Sequence, residues 1–139
     1  FNILDRRWLE PKVQRAIAAR PDVILHGRSA LLQGLLTIDD PSQWPISDAD
    51  LARRCIAGLQ AAAKSLGREG VADLCFAYAR AQPWLSGIVV GAETTAQMAE
   101  NIRLFRTPAL TPAEAGTAVA SLPSPLPEQL LNPALWPRR

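Results

Sequence analysis

Apolar and polar positions along the chain switch between two spacings, short β-branched runs and longer stretches with helical periodicity. Ile88-Val89-Val90 is a run suited to a strand buried on both faces. Gly91 follows, and Thr94 and Thr95 are possible N-caps. Met98, Ile102 and Phe105 then recur at i, i+4 and i+7, the spacing of an amphipathic helix. Upstream, Val23-Ile24-Leu25-His26 reads as a second buried strand. Phe1-Asn2-Ile3-Leu4-Asp5-Arg6-Arg7 looks like the tail of a strand running into a loop. Pro11 opens a helix with Val13, Ala16 and Ile17 inward, and Pro21 ends it. A helix over about Leu51–Leu66 carries Leu51, Cys55, Leu59, Ala62 or Ala63, and Leu66 on one face, with Gly67 as its stop. Gly70–Gln82 is a further helix, striped by Val71, Leu74, Cys75, Tyr78 and Ala81 and ended by Pro83. Thr111, Pro112 and Glu114 spell a capping box for another helix. The tail from Leu122 to Trp136 is Pro-rich and extended, with enough Leu and Trp to dock on a surface.

The resulting order is strand end, helix, strand, long loop, two helices, strand, helix and capped helix. Alternating α and β with hydrophobic strands predicts a parallel sheet, as in part of a TIM (β/α)8 barrel. Such barrels often build a phosphate site from the loops after the last two strands. Here those loops are Arg28–Thr37 and Gly91–Thr95. A strand, a turn and a helix start aim free N–H groups and a helix dipole at one point, a ready anion site. An ordinary βα-unit with an empty helix start has the same outline.

The wording of these loops adds more. Gly87-Ile88-Val89-Val90-Gly91, with Gln97 and then Glu100-Asn101, resembles the last βα-unit of the aldo/keto reductase family. Leu74–Gly91 is similar to the family's helix leading into its eighth strand. Phe1–Arg7 resembles the end of the sixth strand, and Val23–Thr37 the seventh strand and its loop. A closing Asn132-Pro133 with Trp136 is common in bacterial members. The resemblance covers essentially the whole chain. It implies an α/β fold, the C-terminal part of a TIM barrel: about strands 6–8 with their helices, a C-terminal helix and an extended tail.

The resemblance also implies a cofactor, NADP or NAD, and a small carbonyl or alcohol substrate. Gly91, Ala92, Glu93 and Thr94 would line the phosphate and ribose pocket, with Gln97 flanking it. Glu100 and Asn101 would face the adenine. Ser29, Leu31, Gln33 and Gly34 would contact the pyrophosphate, largely through backbone groups. Arg28 stands where many members place a Tyr under the nicotinamide, and its guanidinium could stack there or pair with phosphate. NADPH-preferring members usually carry Lys or Arg around the 2′-phosphate, whereas Gly91, Glu93 and Gln97 stand here. A carboxylate repels that phosphate, which points to weakened NADP preference.

The implied activity is NAD(P)H-dependent reduction of aldehydes or ketones to alcohols, or the reverse. The family's catalytic tetrad of Tyr, Lys, Asp and His is expected upstream of Phe1, with the rest of the barrel. On that reading this stretch holds the cofactor, carries no catalytic residue and is inactive alone. The alternative is a non-catalytic regulatory or scaffold member that still binds cofactor.

Length agrees with a part-barrel, since 139 residues fall well short of the about 250 a TIM barrel needs. Apolar content of 48% with 20% charged residues is that of a globular chain. A net charge of +2, without basic runs among aromatics, argues against nucleic acid. No apolar run approaches the ~20 residues of a membrane span. The expected location is cytoplasmic. Cys55 and Cys75 lack metal-site or redox spacing and read as core thiols. His26, the only histidine, reads as structural, because no carboxylate or serine accompanies it in the apolar run. Tyr78, within a helical stripe, reads as core. Asn2 and Asp5 read as loop-shaping. Thr37–Asp50 is too long for a routine βα loop, and its Trp44 either covers a ligand or plugs the loop onto the body.

Overall fold

The structure, a computed structural model, describes residues 1–137. Several of its helices begin where a side chain satisfies a free N–H group of the first turn. The longest, α2 (Ala49–Ser65), starts at Asp48, whose carboxylate accepts the Leu51 N–H at 2.9 Å. It ends beside Gly67, which takes the left-handed φ of +62° that glycine adopts without penalty. Its inward face is Leu51, Ala52, Cys55, Leu59, Ala62 and Ala63, all buried. The next helix, α3 (Val71–Arg80), is buried nearly all round from Asp73 to Ala79, so it is the central rod of the body. Further helices α5 (Pro112–Ala120) and α6 (Glu128–Leu131) close over the far side. The Thr111–Glu114 capping box starts α5 as its sequence predicts.

Two strands, β1 (His26–Arg28) and β2 (Gly87–Val89), pair in parallel with His26 opposite Gly87, Gly27 opposite Ile88 and Arg28 opposite Val89. The chain between them passes through α2 and α3, the long crossover that parallel pairing requires. The Phe1 amino group donates to the Arg28 carbonyl at 3.0 Å, so the N-terminal segment lies along the other edge of β1. The main core gathers Ile3, Leu4, Leu32, Leu35, Leu36, Trp44 and the inner faces of α2 and α3. A smaller cluster joins Ala30, Phe76, Ala79 and Leu104.

Several predicted details differ. The first strand pairs over residues 26–28 rather than 23–26, and Val23 and Ile24 are exposed. Val89 is 59% exposed, so β2 is not buried on both faces. In α4 (Thr95–Phe105), Met98 and Ile102 are 46% and 50% exposed, and Leu104 is the buried residue instead. Helix α1 (Pro11–Ala18) buries no residue fully: Val13 and Ile17 are half-covered and Ala16 is exposed. All these faces have apolar spacing but no covering layer among the described residues. The tail is not extended throughout; α6 and a turn at Pro133–Leu135 fold it back, with Leu130 fully buried. An ion pair from Arg7 to Glu128 ties that tail to the first loop.

Other positions take the structural places assigned to them. Asn2 Oδ1 accepts the N–H groups of Leu4 and Asp5 at 3.0 and 2.9 Å. Tyr78 is buried, its ring stacked on Phe1. Trp44 plugs its loop inward, with its indole N–H donating to the Ile38 carbonyl at 3.2 Å. Both cysteines are free and buried, and desolvation pushes the Cys75 thiol up to about 12.

Candidate functional site

The segment leaving β1 has an unusual backbone. Ser29, Leu32 and Gln33 take left-handed φ values of 66°, 48° and 54°, followed by Gly34 at 84°. Each non-glycine residue there costs roughly 1–3 kcal/mol, which persists only where packing over-determines the turn. Leu32, Leu35 and Leu36 provide that packing, since all three are buried in the main core. Leu32 N–H donates to the Ser29 carbonyl and Leu36 N–H to the Leu31 carbonyl. The N–H groups of Ala30, Leu31, Gln33 and Gly34 meet no protein acceptor among the described residues. Such a run of unused donors is a concavity suited to an anion.

The turn leaving β2 is held from the helix that follows it. Thr94 caps α4, its hydroxyl accepting the Gln97 N–H at 3.1 Å. Gln97 Oε1 reaches back to accept the Glu93 N–H at 2.7 Å, and Asn101 Nδ2 donates to the Gly91 carbonyl at 3.2 Å. Two amide side chains one helical turn apart thus fix the path of residues 91–93. Gly91 itself has no left-handed φ, and a Cβ built on it would meet nothing within 4 Å. The protein's own packing therefore gives no reason for a glycine there.

Between these two turns lies a cleft of about 740 Å³. Because β1 and β2 run parallel, both turns leave the same end of the sheet, the end at which open α/β sheets and barrels bind ligands. Of the residues singled out in the sequence, Ser29, Leu31, Gln33, Gly34, Gly91, Ala92, Glu93, Gln97 and Asn101 line the cleft. Three do not. Arg28 borders a separate cavity of about 390 Å³ with Phe1, Trp8 and Trp84. Thr94 is spent as the cap of α4. Glu100 pairs with Arg103 at 2.7 and 2.8 Å instead of facing the cleft. Ala30, Thr37, Val89 and Val90 also line it and were not singled out. Their apolar or small side chains carry no chemical signal, and only their neighbours in the two turns could have pointed to them.

Charge in the cleft is sparse. Glu93 is the ionisable side chain among the lining residues, and its carboxylate has no partner among the described residues. Arg103, one turn further along α4, is taken up by Glu100 and, at 2.7 Å, by Glu69. Its hydrogen bonds hold both of those carboxyls below the usual carboxylate range. The cleft therefore offers neutral N–H donors, amides, the hydroxyls of Ser29 and Thr37 and apolar walls, with one carboxylate at the α4 side. That set can hold a diester-type phosphate through backbone donors and an aromatic ring against Val89, Val90 and Ala92. It includes no nucleophile beside a base, so among the described residues it can bind and orient but not exchange protons as a catalytic pair does.

No curated protein shows a significant match to the sequence. The family model described as "Aldo/keto reductase family" matches residues 1–121, a span that takes in both strands, both turns and the helix after each. With that match over most of its length, the chain belongs to the aldo/keto reductase family.

Proposed function

We propose that the cleft holds the pyrophosphate and adenosine portion of a nicotinamide dinucleotide, in a full-length protein that interconverts aldehydes or ketones and alcohols. The family is one of NAD(P)-dependent oxidoreductases built on the TIM barrel. The observation carrying the proposal is the convergence of two turns from the same end of a parallel pair on one cleft. The residues fit the group. Unused N–H groups at Ala30, Leu31, Gln33 and Gly34 match the non-bridging oxygens of a pyrophosphate. The bare Gly91 leaves room for a sugar or phosphate to approach the main chain. Gln97 and Asn101 hold that turn in place before anything binds, which limits the ordering cost of binding.

The bound nicotinamide supplies the hydride. The residues of this chain position it and exclude water from one side, while the proton donor comes from the tetrad outside this stretch. We further propose that the chain is the C-terminal part of the barrel, about strands 6–8. The exposed apolar positions support this. Val23 and Ile24 lie just before β1, Val89 lies on β2, and Met98 and Ile102 lie on α4. In a closed barrel a neighbouring strand would pair with the free edge of β2, and a preceding βα-unit would cover the α4 stripe. Apolar residues left exposed beside the sheet and on α4 fit positions that further parts of a barrel would cover.

The test is NAD(P)H-dependent reduction of a panel of small aldehydes and ketones by the full-length protein, followed at 340 nm. Turnover is expected. Tight dinucleotide binding with no turnover on any substrate would favour a scaffold role, and absence of both would overturn the proposal.

A further inference from the structure

We propose that Glu93 makes this cleft select NAD over NADP; the inference rests on the cofactor reading of the cleft given above. The two dinucleotides differ by one group, a 2′-phosphate monoester that is close to a dianion at neutral pH. Sites that welcome such a group supply guanidinium or ammonium donors, because neutral N–H groups alone leave most of its charge uncompensated. Among the described residues the lining of this cleft supplies none. Glu93 is the ionisable side chain among them, and it has the same sign as the phosphate.

Among the described residues, the arginines of the neighbouring elements are placed elsewhere. Arg103 is held by Glu100 and Glu69 and lies outside the lining. Arg28 borders the cavity lined by Phe1, Trp8 and Trp84. Arg80 donates to the Thr107 carbonyl at 2.6 Å and sits over the Phe105 ring. Bringing Arg103 to a 2′-phosphate would leave two carboxylates without their partner, in addition to Glu93.

Glu93 is also held in place. Gln97 fixes its N–H at 2.7 Å, so the side chain projects from a main chain with little freedom to retreat. Its carboxylate is free to accept hydrogen bonds, and a ribose 2′-hydroxyl is a donor of the right kind. The same pairing of an acidic residue with the 2′-hydroxyl is how many dinucleotide folds recognise NAD. One side chain thus favours the hydroxyl and repels the phosphate. Because Glu93 is exposed, water and salt screen the repulsion, and the discrimination is about tenfold rather than many orders of magnitude.

Isothermal titration calorimetry of the cofactor-free full-length protein with NAD⁺ and NADP⁺ separates the possibilities. The unmodified protein is expected to bind NAD⁺ at least about tenfold more tightly, with the gap narrowing as salt is raised. Glu93→Gln should narrow it mainly by strengthening NADP⁺ binding, and Glu93→Lys should close or invert it. Position 93 is on an exposed turn, and unchanged melting temperatures show that both variants are folded. NADP⁺ binding as tight as or tighter than NAD⁺ in the unmodified protein overturns the inference, as does a ratio unmoved by both substitutions. If neither dinucleotide binds, the cofactor reading beneath it falls as well, which is a different result.

Discussion

Replacing Gly58 with alanine tests the packing that carries the site. Gly58 lies in the middle of α2, where a Cβ would sit inside van der Waals contact of the Ser121 carbonyl oxygen and 3.1 Å from Leu122 Cδ2. The oxygen belongs to the backbone at the end of α5, so it cannot swing aside as a side chain could. Helix α5 must withdraw, loosening Ala118 and Leu122, both buried against the main core. Overpacking of this kind costs about 1–3 kcal/mol, and a rigid backbone contact belongs toward the upper end. Alanine returns about 1 kcal/mol of helix propensity, leaving a net loss of about 1–2 kcal/mol. At about 4 °C per kcal/mol for a domain near this size, the melting temperature should fall by about 4–8 °C. Gly116 of α5 is the control, because a Cβ there meets nothing within 4 Å. Gly116→Ala should therefore raise the midpoint by about 2–4 °C, corresponding to 0.5–1 kcal/mol of propensity. Circular dichroism melts of both variants suffice. A Gly58→Ala midpoint equal to or above the parent's would refute the close approach of α2 and α5.

Further outcomes are expected. Buried Asp73 accepts from Arg68, the Glu69 N–H and the Thr107 hydroxyl, so Asp73→Ala should lose about 3 kcal/mol in urea unfolding; a loss under about 0.5 kcal/mol would show that the network is idle. Gln97→Ala frees the Glu93 N–H and should weaken dinucleotide binding about three- to tenfold, the value of one hydrogen bond, with an unchanged affinity counting against a pre-set turn. Thr111→Ala should cost about 1 kcal/mol through loss of the α5 cap, measured by the same melts. Burial pushes Cys55 up to about 11 and Cys75 up to about 12; the folded thiols stay protonated while unfolded ones ionise near pH 9, so stability should decline from about pH 9 upward. Neither thiol should react with iodoacetamide at pH 8 without unfolding, and fast labelling of the native protein would contradict their burial.

Where side-chain pattern determines structure, the sequence was readable. The inward face of α2, the glycine stop at Gly67, the capping box at Thr111 and the core places of Tyr78 and both cysteines follow from spacing and local chemistry. The two cleft-forming turns were legible in part: Gly34 takes a left-handed φ, and Thr94, Gln97 and Asn101 hold the second turn, whereas Gly91 answers no demand of the backbone. What could not be read depends on partners. Val23 and Ile24 have strand composition, yet pairing with β2 selects residues 26–28, because register is set by the neighbour and not by the run itself. Met98 and Ile102 have an inward spacing that nothing in this stretch covers. Leu32 and Gln33 take left-handed backbones that neither residue type announces; packing of Leu35 and Leu36 imposes them. Glu100 and Arg28 are charged residues at positions matched to the family's motifs, but an i,i+3 ion pair with Arg103 holds Glu100 along α4 and Arg28 lines a separate cavity.

Hydrogen–deuterium exchange of the full-length protein, with and without saturating NAD⁺, tests the central claim most directly. The account predicts that peptides covering residues 29–37 and 91–101 gain protection together, with the cleft between the two turns filled. Protection of neither segment, or of only one, would contradict a shared dinucleotide site.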